Sequence, residues 1–362
     1  MGKLVSKFGI KKLAIAASIS PAIALIGMRF SGSIIIAYVF AIVSGLLVAL
    51  STTAVLNLYI GSWFNKGKGT MTSVGQTIAT LFSIVFVPVV TSLLVAQGAE
   101  KASIFVGIIM LAVGIAGALF VKGMPSEYGV EPVDIVERKT TENDAAASTE
   151  IYDVQMPAVK LISKAPVAAL LIMTFLTIVG LAMFGTYSVY IFDSYLNNMV
   201  TASFYVSITS ACVLGFSMLF GMLCDKVGVS KTVILYGLLA GVSKIVGPVV
   251  GGTVGALIIA IFNGASMFGT MFIAVGFPLI IGYKNMATIV GWAGALMSAG
   301  GMVAPVLAMI LASKQGSYDL VVIVCGILTL ASMLLCVFSI SRKARKSIKK
   351  ADEAWIAANS KT

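Results

Sequence analysis

The feature that most constrains this chain is a succession of apolar runs, at residues 13–28, 33–60, 71–96, 103–121, 166–192, 202–222, 232–252, 254–282, 287–312 and 318–341. A bilayer core of about 30 Å is crossed by roughly 20 apolar residues in α-helix. Within hydrocarbon the backbone polar groups need partners from the chain itself, which leaves helices or a closed barrel. A barrel shows short segments of alternating polarity, whereas these runs are continuous. The expected fold is all-α, a polytopic membrane helix bundle of ten spans. Charged residues are only 11% of the chain, against about 25% in a soluble domain.

The placement of Lys and Arg orients the bundle. With the N-terminus on the cytoplasmic side, 21 of the 25 basic residues fall in inside segments, and only Arg29, Lys101 and Lys314 fall outside. Lys244 alone lies within a run. That asymmetry follows the positive-inside rule, and starting outside would invert it. The expectation is a multi-pass protein of the plasma membrane with N-terminus, central linker and C-terminus in the cytoplasm. The net charge of +11 is then a matter of topology. The basic residues form no continuous face with interleaved aromatics, so nucleic acid is not an expected partner.

Two loops repeat. Gly2-Lys3-Leu4-Val5-Ser6-Lys7-Phe8-Gly9-Ile10-Lys11-Lys12 and Gly221-Met222-Leu223-Cys224-Asp225-Lys226-Val227-Gly228-Val229-Ser230-Lys231 share Gly, Leu, Lys, Gly and a final Lys in one register, each before a long apolar run. Internal repeats of this kind organise many secondary transporters. A polar, acidic stretch over 123–165 divides four runs from six. It reads as a flexible linker, with a short amphipathic helix near Pro157. The expected organisation is an N-terminal membrane half over 1–122, a linker over 123–165, a C-terminal half over 166–341 and a basic tail over 342–362. The repeat opening at residue 2 and the division of four from six both suggest two further spans upstream. The tail, with Trp355 beyond its basic cluster, suits an amphipathic segment lying on the inner leaflet.

Gly-x-Leu-x-Asp-Lys-x-Gly-x-x-Lys at 221–231 resembles the loop signature of the major facilitator superfamily, found between the second and third helices of each six-helix half. The 2–12 copy matches except that Ser6 replaces the acid. Trp63-Phe64-Asn65-Lys66-Gly67-Lys68-Gly69-Thr70 and Pro125-Ser126-Glu127-Tyr128-Gly129-Val130-Glu131-Pro132 are similar to segments of the monocarboxylate and oxalate/formate porter branch. The resemblance implies alternating access around one path between the halves, working as a monomer with no cofactor. It also implies a gating motif made of Gly2, Gly9, Gly221, Asp225, Lys226, Gly228 and Lys231. Asp225 would cap a neighbouring helix and pair with a cation, for which Lys284 is the candidate. The alternative is a solvated loop carboxylate.

Ionisable groups inside spans usually mark ion or substrate paths. No Asp or Glu lies deep in a run and the chain has no His. Lys244 either attracts an anionic substrate or snorkels to the outer interface, helped by a helix break at Gly247-Pro248. Tyr187 and Tyr190 share a face at i, i+3, as do Asn263 and Ser266. Thr52, Thr53, Gln76 and Trp292 complete the polar candidates at depth, and each alternatively bridges helices. Gly247-Pro248 through Gly252 reads as a closely packed helix terminus. Gly300, Gly301 and Pro305 read as a bend serving as a gating hinge.

Cys212, Cys224, Cys325 and Cys336 lack metal-ligand spacing and read as small apolar residues. With no His, acid pair or metal cluster in the runs, no catalytic residue or metal is expected and an enzyme is disfavoured. The expected function is secondary transport of a small organic solute, with a monocarboxylate-type anion as candidate. The porter branch's basic residues have no counterpart in 202–222 or 287–312, which argues against a dianion. The alternative is a non-transporting sensor or an inactive remnant.

Overall fold

The computed structural model describes residues 15, 19–23, 25–27, 32–51, 63–66, 68–120, 133–134, 152–282, 284–315 and 317–359. The loop copy at 2–12, with Gly2 and Gly9, lies outside them, as do Thr52 and Thr53. The chain divides into two compact units, one of Met1–Phe82 and Pro88–Thr141, the other of Ser83–Val87 and Glu142–Thr362.

In the first unit, residues 19–23 and 25–27 are helical, followed by α1 (Ile34–Ser51) and α2 (Lys68–Phe120). A short parallel pairing joins β1 (Phe64–Lys66) to β2 (Val133–Asp134), and the rest of the described architecture is helical. α2 is 53 residues long, about 80 Å at 1.5 Å per residue, far more than one bilayer crossing. At Gly98 its backbone leaves the helix (φ 83°, ψ 169°), a conformation open essentially to glycine. The apolar runs 71–96 and 103–121 lie on either side of Gly98. A Cβ on Gly107 would stand 2.7 Å from Ile26 and one on Gly27 2.5 Å from Phe40. Glycine at these positions lets the helices of this unit close together.

The second unit holds α3 (Ala158–Ile162), α4 (Ala165–Leu196), α5 (Met199–Val227), α6 (Val229–Val250), α7 (Gly252–Phe262), a 3₁₀ segment (Asn263–Met267), α8 (Phe268–Gly276), α9 (Pro278–Ile281), α10 (Met286–Gln315), α11 (Asp319–Ile340) and α12 (Arg342–Asn359). Its spans start and stop where local chemistry dictates. Pro166 sits in the first turn of α4, where its missing N–H costs nothing. Asn198 caps α5 by accepting from the Thr201 N–H at 3.0 Å. Gly228 (φ 91°) turns the chain from α5 into α6. Gly251 and Gly252, both at positive φ, reverse it from α6 into α7.

α4 is the central helix, packed against α10 and α11, and α11 also packs on α6. Glycines set these approaches. A Cβ on Gly326 would lie 2.8 Å from the Gly241 carbonyl, and one on Gly300 2.4 Å from Ile178. Close backbone approach through small residues is how helices associate in lipid. α10 runs unbroken through Gly300, Gly301 and Pro305. Gly300 makes a close crossing contact with α4.

The tail and the end of the linker depart most from expectation. α12 does not spread its apolar face on lipid. Ala344 and Ile348 are buried, with Trp355 packed against the same core. Asp352 is fully buried and accepts hydrogen bonds from the Tyr152 hydroxyl (2.8 Å), the Gln155 N–H (3.1 Å) and the Met156 N–H (2.7 Å). The Asn285 side-chain amide donates to the carbonyls of Val154 and Met156, both at 3.0 Å. Residues 152–157 are thus held as a strap between α12 and the turn before α10. The helix expected near Pro157 is α3.

Candidate functional site

Fifteen residues into α6, Lys244 shares a face with Gly237, Ala240, Gly241 and Gly247, all buried. Helical spacing puts i−7, i−4, i−3 and i+3 on one stripe, which packs on α11 at Gly237 and Gly241 and on α7 at Gly247. The side chain is accordingly fully buried, and snorkelling, one of the two readings of this residue, does not occur. Its Nζ donates to Ser266 Oγ at 2.6 Å and to Thr329 Oγ1 at 3.4 Å. Ser266 Oγ in turn donates to Asn263 Oδ1 at 3.2 Å, and the Thr329 hydroxyl to the Cys325 carbonyl at 2.7 Å. The Phe184 ring lies over the ammonium, 5.8 Å to the centroid.

This cluster occupies a level between two apolar cores. Along α11 Thr329 falls between Cys325 of one core and Met333 of the other, and along α4 Thr177 falls between Met173 and Val179. At the same level the span after α6 changes from α-helix to a 3₁₀ turn over Asn263–Met267. A mid-span 3₁₀ stretch has poorer hydrogen-bond geometry than α-helix and often marks a hinge. Gly264 permits it to press on α5, where a Cβ would meet the Cys212 carbonyl carbon at 2.8 Å. All the acceptors seen around Lys244 are neutral. Burying an ammonium without a counter-charge is costly, so an incoming anion would meet a preformed partner.

Three candidates therefore come together: Lys244, Asn263 and Ser266. The tyrosines lie further along α4. Phe184 is one turn before Tyr187 and two before Tyr190, so Tyr190 stands about 9 Å along the axis from the ring over Lys244. Both stand on one continuous helix at i, i+3, but they differ in exposure. Tyr187 is half-buried, donates to the Pro305 carbonyl at 3.4 Å and stacks near Tyr318 at 6.0 Å, while Tyr190 is 45% exposed. Trp292 is exposed on α10. The Gln76 side chain lies outside the described residues.

In the loop motif, Gly228 carries the positive φ that its turn needs, and Lys226 and Lys231 are exposed, as is Gly221. The Asp225 side chain lies outside the described residues. Lys284, the candidate partner of Asp225, donates to Gln155 Oε1 of the strap. Phe184 and Thr329 are the members of the Lys244 cluster not anticipated from sequence. The available signal was Lys244 itself: a mid-span cation needs acceptors, and Thr329 is a polar residue at the matching depth of another run. The four cysteines are free thiols, all buried but the half-buried Cys212.

A polytopic bundle of long apolar helices, with a polar cluster where one span loses its α-helical form, is the architecture of a multi-pass membrane carrier. A family model described as Major Facilitator Superfamily matches residues 1–281 and 170–360. The chain belongs to the major facilitator superfamily and is a secondary transporter of a small molecule. No curated protein sequence matches it. Among solved structures it is similar to an asparagine-to-alanine variant of the E. coli fucose:proton symporter FucP, at 14% identity and TM-score 0.57 over 93% of this chain and 86% of that one. It is also similar to FucP in the outward conformation, at 13% identity and TM-score 0.58 over 94% and 84%. At that identity what is shared is the fold.

Proposed function

We propose that this transporter carries a small monocarboxylate-type anion by alternating access, with Lys244 as its charge partner. The observation that carries this reading is a fully buried ammonium whose acceptors, Ser266 and Thr329, are both neutral. An anion would supply the missing charge, and the Ser266 and Asn263 side chains would hydrogen-bond its oxygens. In the described state the ammonium is enclosed, so access requires the 3₁₀ segment to shift relative to α6 and α11. Tyr190 and Trp292, exposed on α4 and α10, are the proposed approach to it. Asp225 with Lys226 and Lys231 forms the proposed inner gate, and the protein acts as a monomer. In the proposed orientation the α5–α6 turn, Lys284 and α12 face the cytoplasm at the plasma membrane.

The test is uptake of a labelled carboxylate panel into proteoliposomes by the parent chain and by Lys244→Met. We expect the variant to lose at least about tenfold of the uptake rate, the worth of one charge-assisted contact. Carboxylate uptake unaltered by the substitution would overturn the assignment and favour a neutral solute. No uptake of any solute by the parent chain would favour the non-transporting reading.

A further inference from the structure

A second cationic site lies at the other end of the C-terminal unit, away from Lys244. Tyr152, Asp153, Leu279, Ile280, Arg342, Arg345, Lys346, Ile348 and Lys349 enclose a cavity of about 660 Å³. That volume is in the range of small-molecule sites. Its wall carries four cations against one carboxylate. Three further facts distinguish it from a solvated basic face. First, Arg345 Nε is buried and has no hydrogen-bond partner among the described residues, and a buried donor without an acceptor is expensive. Second, α12 has no acidic residue in its first turn. Arg342, Lys343 and Arg345 therefore crowd the helix end that repels cations, where an anion is favoured. Third, the pocket is built on fixed elements. The strap is bonded to Asp352, and the Lys349 ammonium sits over the Tyr152 ring at 5.3 Å.

We infer that this cavity binds a phosphate group, held by the Arg345 guanidinium with Arg342, Lys346 and Lys349 around it. Guanidinium groups favour phosphate because their planar fork matches two of its oxygens. Asp153 lies on the wall and restricts the site to ligands whose phosphate reaches the arginine side. Two sources share this chemistry: the headgroup of an anionic lipid, which basic pockets beside membrane helices commonly take, and a soluble phosphate. The inference is independent of which solute is transported.

The experiment uses the full chain in neutral phosphatidylcholine nanodiscs, titrated with inorganic phosphate, and separately in nanodiscs doped with phosphatidylglycerol. The readouts are binding and the shift in melting temperature. Arg345→Gln and Lys346→Gln are compared with Lys343→Gln, which removes the same charge from an exposed side chain that does not line the cavity. We expect Arg345→Gln to weaken binding about tenfold, the equivalent of one charge-assisted hydrogen bond, and Lys343→Gln to change it less than about twofold. Arg345→Gln should melt like the parent in undoped nanodiscs, and Lys346→Gln provides the readout if it does not. A response to phosphatidylglycerol alone assigns the lipid, and a response to inorganic phosphate assigns the soluble ligand. Equal weakening by Lys343→Gln, or no response to either probe, would overturn the proposal.

Discussion

Lys244 shows why a single buried charge is better explained by its use than by its contribution to stability. An ammonium among neutral acceptors gains less than it loses in hydration, and swapping buried charge for apolar volume is often neutral or stabilising. Lys244→Met keeps an unbranched, apolar stem of nearly the same length while removing the charge and its contact with the Phe184 ring, so the variant should melt within a few degrees of the parent or above it, read by tryptophan fluorescence. A large drop would make the lysine a structural group and weaken the transport assignment. Tyr190 predicts the opposite pattern to its neighbour. It is 45% exposed, so Tyr190→Ala should leave membrane abundance unchanged while slowing uptake. Tyr187→Ala should lower both, because its hydroxyl and ring are engaged by Pro305 and Tyr318. Blotting alongside uptake separates the two. That Lys244 was unusual was legible in the sequence, since cations are rare in apolar runs. Its direction was not. The stripe of Gly237 and Gly241 that turns it inward is visible only once α11 is known to lie there.

Among the elements, the strap of residues 152–157 and α12 stabilise each other. Asp352→Ala would strand the Gln155 and Met156 N–H groups, each costing about 1–3 kcal/mol if left unpaired. Tryptic cleavage at Lys160 and Lys164 should accelerate by about tenfold as local opening becomes cheaper. Gly282→Ala should act from the other side. It places a Cβ 2.3 Å from Asp153 Oδ1 at a residue with φ of 67°. If either variant is cut at the parent rate, the strap is not held as described. Burial, and then the hydrogen bond to Asp352, push the Tyr152 phenol from 10.0 up to about 12. A raised acid pKa stabilises the fold fully below pH 10 and loses that contribution as pH rises toward 12. The difference in melting temperature between the parent and Tyr152→Phe should therefore be constant below pH 10 and vanish near pH 12. Sequence placed the six apolar spans of the second unit well because hydropathy and length are local properties. It misjudged the strap because Asp352 and Met156 are 196 residues apart, and no local pattern announces such a partnership.

For the whole molecule, orientation is the property most open to a direct check. If the basic loops face the cytoplasm, a single cysteine at Lys226→Cys should be silent to an impermeant thiol reagent in intact cells, and one at Lys314→Cys should react. Both residues are exposed, so failure to label reflects side and not burial, and the reverse pattern would invert the topology. The fastening of the strap also bears on movement. A segment held by hydrogen bonds moves with the element that holds it. Residues 152–157 are therefore coupled to α12 through Asp352 and not only to α4, which follows them in the chain. Disturbing the tail would thus disturb a segment some two hundred residues earlier in the chain. A tag at the C-terminus is consequently not a silent label on this protein. Attached close to α12, it becomes a change to the gearing, and slow uptake by a tagged chain should be attributed to the handle before the solute.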